Sequence, residues 1–60
     1  MTDREIYMRW ERAYNALDTR YLRGELDAEA FDHLVLIMEE RLGLTNWSVE
    51  RWIAAGEEGA

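Results

Sequence analysis

Residues 17–34 read LDTRYLRGELDAEAFDHL, and the short stretch from Leu22 to Asp27 decides the fold. Gly24 stands where a left-handed residue would close a helix arriving from the N-terminal side. Asp27 is a strong N-cap for a helix leaving on the other side, with Leu26 and Phe31 spaced as its hydrophobic staple. Only Gly24, Glu25 and Leu26 lie between the two helices. So short a connection predicts an antiparallel helical hairpin.

The same signals recur on either side. Thr2 and Glu5 form a capping-box pattern, and Met1 and Ile6 are spaced as its staple. Gly43 is placed to close the second helix. Thr45 is the expected cap of a third, with Leu44 and Val49 as its staple and Gly56 at its end. Proline is absent from the chain. The reading is all-α: a hairpin of helices at about 3–23 and 28–42, plus a short helix at about 46–55. Too short to persist alone, that third helix is expected to pack across the hairpin's open side. Residues 1–56 form one three-helix mini-domain, and residues 57–60 an acidic frayed tail.

The apolar residues follow helical periodicity. Tyr7, Trp10, Tyr14, Leu17 and Tyr21 recur at spacings of three and four, and Ile6 and Ala13 widen that stripe on one side. Arg9, Arg12, Arg20 and Arg23 occupy the opposite face. In the second helix Phe31, Leu34, Val35, Met38 and Leu42 share a face, extended by Ala30 and Ile37, while Leu36 points elsewhere. The third helix offers Val49, Trp52 and Ile53 inward, with Trp47 near its start.

A chain of 60 residues buries a modest fraction of its surface, and this one has neither cysteine nor the ligands for a zinc site. Three Trp, three Tyr, Phe31 and the Leu34–Met38 run exceed what so small an interior can hold. A second copy or another protein would resolve the excess. Tyr7, Trp10, Tyr14, Tyr21, Leu36 and Trp47 are therefore the expected interface anchors, with Arg9, Arg12, Arg20 and Arg23 as orienting charges. Tyr and Trp combine an apolar body with a polar tip, which suits them to such surfaces.

The net charge of −6 is unevenly spread. Residues 1–23 carry +1 and residues 24–60 carry −7. All seven basic residues are Arg, a usage that codon bias alone can produce. An arginine face of this kind is ordinarily solvated, but it also fits an acidic surface, such as the acidic half of a second copy, or nucleic-acid phosphate. The acids Glu25, Asp27, Glu29, Asp32, Glu39 and Glu40 could alternatively imitate nucleic-acid phosphates, as in a phage-type inhibitor or DNA mimic.

Chemistry is sparse. No thiol nucleophile exists, Ser48 has a local backbone role, and Glu39 and Glu40 point about 100° apart. Glu29 and His33 are spaced as an exposed helical pair, and one histidine does not build a metal centre. No enzyme, cofactor or metal is expected. No apolar run approaches the ~20 residues of a membrane helix, and the charged MTDREIY start lacks a signal peptide's apolar core. The expected location is the cytoplasm.

Two resemblances add to this reading. LGLTNWSVERWIAAGE (residues 42–57) resembles the turn and second helix of excisionase-type or MerR-type helix-turn-helix proteins, with Gly43 as turn glycine and Val49 and Trp52 packed inward. That resemblance implies DNA binding through the third helix. Against it, Glu39 stands where such motifs favour Ala, and residues 44–60 carry a net −2 where a DNA reader needs cations. LDTRYLRGELDAEAFDHL is similar to the helical hairpins called SHOCT domains, through Leu17, Gly24, Leu26, Asp27 and Phe31, and implies oligomerisation or docking. The function expected from the sequence is a small acidic helical protein-interaction module, homodimeric, acting by surface occupancy. Its rival is a helix-turn-helix DNA-binding protein.

Overall fold

A computed structural model describes residues 2–57 and is all-helical. Its elements are α1 (Asp3–Leu22), α2 (Ala28–Arg41), a 3-10 turn (Leu44–Asn46) and α3 (Val49–Glu57). The two hairpin helices make the most extensive contact. α3 rests on α1, and the 3-10 turn rests on α2. The expected packing across both hairpin helices is thus divided between two short elements.

The helix ends follow local chemistry. Thr2 and Glu5 form the reciprocal capping box, with Glu5 N–H donating to Thr2 Oγ1 at 3.2 Å. Met1, the outer half of the expected staple, lies outside the described residues. At the other end of α1, Gly24 N–H donates to Tyr21 O and Glu25 N–H to Arg20 O, each at 3.0 Å. This is a Schellman closure, and Gly24 supplies its left-handed residue at φ 79°. Asp27 caps α2, accepting from Ala30 N–H at 2.7 Å. Gly43, at φ 74°, ends it.

The start of the third helix differs from expectation. Ser48, not Thr45, is the cap, accepting from Arg51 N–H at 3.2 Å, and the helix begins at Val49. Leu44–Asn46 instead form a 3-10 turn, closed by Trp47 N–H on Leu44 O at 3.0 Å. The reason is burial. Leu44, 2% exposed, anchors the turn against α2, and the extended backbone of Trp47 then returns the chain to α1.

That delay turns the helix. Val49 is 75% exposed and Ile53 54%, so neither faces inward as expected, and Val49 cannot staple to Leu44. The inward residues are Trp52, Ala55 and Gly56. Ala55 is 1% exposed, and a Cβ on Gly56 would lie 3.3 Å from the Tyr7 ring. Gly56 therefore does not end the helix. It lies within α3 and lets the backbone approach Tyr7 closely. Glu57 remains helical, and the rest of the expected tail, residues 58–60, lies outside the described residues.

Candidate interaction surface

The two sides of the hairpin are built differently. On the α3 side the rings form a continuous series. Trp47 meets Trp52 at 5.6 Å between centroids, Trp52 meets Trp10 at 4.9 Å, and Trp10 meets Tyr14 at 5.0 Å. Phe31 continues it, 5.6 Å from Tyr14 and 5.3 Å from Tyr21. Tyr7 joins from the side, 5.7 Å from Trp10 and 6.1 Å from Trp52. Edge-to-face and tilted geometries dominate, as ring quadrupoles prefer.

Polar ties lock the same side. Trp10 Nε1–H donates to Glu39 Oε2 at 3.1 Å, joining α1 to α2. Arg4 donates through one guanidinium nitrogen to the carbonyls of Ala55 and Gly56, at 3.2 and 3.1 Å. These belong to the last turn of α3, where a cation is favoured. Arg51 makes a forked pair with Asp3, at 2.8 and 2.9 Å, and lies 4.3 Å above the Trp47 ring. The Arg51 hydrogen bonds hold the Asp3 carboxyl below its ordinary range and outweigh the opposing loss of hydration. The same bonds raise the guanidinium.

The opposite side is open. An apolar groove of about 490 Å³ runs between α1 and α2, floored by Ala13, Ala16, Leu17, Leu34, Ile37 and Met38. Arg9 and Arg41 border one end and Arg20 the other. Eleven residues of helix separate Arg9 from Arg20, or roughly 16 Å. Neither α1 nor α2 holds a fully buried residue, so much of the hairpin's aliphatic surface stays in contact with water.

The arginines divide along the same line. Arg4 and Arg51, on the α3 side, are both engaged. Arg9, Arg12, Arg20, Arg23 and Arg41 are exposed and make no ion pair among the described residues.

The expected anchors divide accordingly. Tyr7, Trp10, Tyr14 and Trp47 are half-buried within the ring series, and Tyr21 packs its ring on Phe31 while 40% exposed. Leu36, 55% exposed, lies away from both the rings and the groove. Trp47, expected as an interface anchor, covers Trp52 and carries Arg51. The groove floor is what sequence reasoning missed as a surface. Its signal was the added width of both stripes, through Ala13 on α1 and Ile37 on α2, beyond what one helix contact needs.

Other arrangements offer less. Asp27 is spent on a cap and Glu39 on Trp10, so the acids of α2 are not a uniform free array. His33 is exposed, and among the described residues no three His, Asp or Glu side chains converge on a metal-sized site. Among the described residues no helix is long and apolar enough to cross a membrane. Compared with known proteins, the chain matches no family model, no curated protein and no solved structure.

Proposed function

We propose that this chain is a small helical protein-interaction module that works by occupying a surface, without a catalytic step, and that it binds through the open α1–α2 face. The observation that carries the reading is an apolar floor bordered by Arg9, Arg20 and Arg41, none of which makes an ion pair among the described residues. Like charges gathered on one face repel one another until an anionic surface arrives, and an apolar groove gains by losing water. Together they favour an occupant that is apolar in its middle and acidic at its margins. The aromatic residues contribute by holding the hairpin and α3 in shape.

DNA reading through α3 draws less support. Its sole cation, Arg51, is held by Asp3, and its other outward residues are Val49, Glu50, Ile53, Ala54 and Glu57.

Photo-crosslinking in cells tests the proposal. A photoreactive side chain is placed at Ala16 in the groove or at Leu22, exposed about 120° away around α1. Protein adducts from position 16 and not from position 22 are expected. Equal labelling from both positions, or adducts to nucleic acid alone, would overturn it.

A further inference from the structure

We infer that the occupant of the groove is a second copy of this chain, packed across a two-fold axis parallel to the hairpin, with α1 of each copy over α2 of the other. The inference rests on the groove being the binding face, and both shape and charge lead to this one arrangement.

The levels of the two helices come first. Trp10 is joined to Glu39, and Phe31 lies between Tyr14 and Tyr21. Extending that register at the same rise along both helices sets Arg9 level with Glu40 and Arg20 level with Glu29. Ala13 and Ala16 stand level with the turn of α2 that carries Leu34 and Ile37.

A two-fold axis parallel to the helices preserves every level while exchanging the helices. The small residues Ala13 and Ala16 then receive the partner's Leu34 and the partner's Ile37, large against small, as close packing requires. The result is an antiparallel four-helix arrangement whose core is the presently open aliphatic surface.

Charge selects the same axis. Arg9, Arg12, Arg20 and Arg23 fall within about 80° of arc along the groove edge of α1. On α2, Glu29, His33 and Glu40 fall within about 40° and form its outer edge. With α1 over the partner's α2, Arg9 and Arg12 come beside the partner's Glu40, and Arg20 and Arg23 beside the partner's Glu29. Arg41 comes level with the partner's Arg9, a like-charge contact that the Arg–Glu pairs outnumber, and within a turn of the partner's Glu5. The other two-fold arrangement, with its axis perpendicular to the helices, stacks α1 on α1. It sets arginine against arginine and alanine against alanine, so it loses both the ion pairs and the packing.

The surface required is available. A standard interface takes about 800 Å² from each partner. That is less than a fifth of the 4528 Å² exposed here, on a molecule measuring 33 × 23 × 18 Å.

Sedimentation equilibrium on the full chain, with circular dichroism to confirm helicity, tests the arrangement through a charge exchange. The wild type is expected to be a dimer at roughly tens of micromolar, the weak end of specific association. Arg20→Glu combined with Arg23→Glu should weaken self-association about tenfold, and Glu29→Arg alone should do the same. Mixed one to one, the two variants should regain wild-type affinity, because both contacts of the heterodimer then join opposite charges. A wild type monomeric at millimolar concentration overturns the inference, as does a dimer indifferent to the reversals or not rescued by mixing. The broader reading is judged separately. A monomer that still crosslinks a different protein from position 16 refutes the second copy and keeps the interaction module, whereas a monomer that crosslinks no protein there refutes both.

Discussion

The two sides of the α1–α2 hairpin share a backbone and differ in almost everything else. One is covered by α3 and the 3-10 turn, filled with rings and tied by Arg4, Arg51 and the Trp10–Glu39 bond. The other is floored by alanine and aliphatic side chains and edged with arginines that make no ion pair among the described residues. Arg4 and Arg51 have partners within the chain, whereas Arg9, Arg20 and Arg41 stand beside apolar surface. A small domain of this kind spends its rings on folding itself and leaves a simpler face uncovered.

Cutting the ring series gives the largest expected effect. Trp52 contacts Tyr7, Trp10 and Trp47, so Trp52→Ala should cost about 3 kcal/mol. Domains of this size hold roughly 3–9 kcal/mol in total, so a large unfolded fraction should appear in a urea titration. On the open side, Ile37→Ala removes a half-exposed side chain, and at concentrations too low for association it should cost about 1 kcal/mol or less. Equal losses at the two positions would erase the distinction between the sides.

The glycines provide a finer comparison. Gly43→Ala forces a side chain into a left-handed backbone at φ 74° and should cost about 1 kcal/mol. Gly56→Ala sits in ordinary helix, where alanine is favoured by up to about 1 kcal/mol, against a contact of 3.3 Å with the far end of the Tyr7 ring. That ring is half-buried and able to yield a few tenths of an ångström, so thermal unfolding should show no loss or a small gain. A loss at Gly56 as large as that at Gly43 would mean that α1 and α3 are held more rigidly than a movable tyrosine implies.

The smallest effect concerns pH. The Asp3 carboxyl is held below its ordinary value of 3.8 by Arg51. The unfolded chain therefore takes up this proton first on acidification, and the folded state loses stability as pH falls through the depressed value. Above the ordinary value the contribution is fully present. Asp3→Asn should flatten the decline in melting temperature below about pH 5, and an unchanged slope would show that the pair contributes nothing in solution.

Much of the fold was legible because capping is local. Thr2 with Glu5, Asp27, Gly24 and Gly43 act within a few residues of themselves, so spacing alone located them. Thr45 and Ser48 show the limit. Both can cap a helix, and the choice between them depends on burying Leu44 against α2, a contact that local spacing does not contain. The surface was legible in part. The arginine stripe was visible as a stripe, but its separation from Arg4 and Arg51 required knowing where α3 lands.

The sequence by itself determined three helices, a tight hairpin and a chain with more apolar surface than a small interior can hold, since periodicity and composition are properties of the chain. Only the tertiary structure decided which apolar residues cover one another. Val49 and Ile53 lie outward because α3 starts late and meets α1 through Ala55 and Gly56. Trp47 and Trp10 turn inward because α3 brings Trp52 to them. The groove emerges last, for a helix stripe becomes a surface only when its neighbours have chosen the other side.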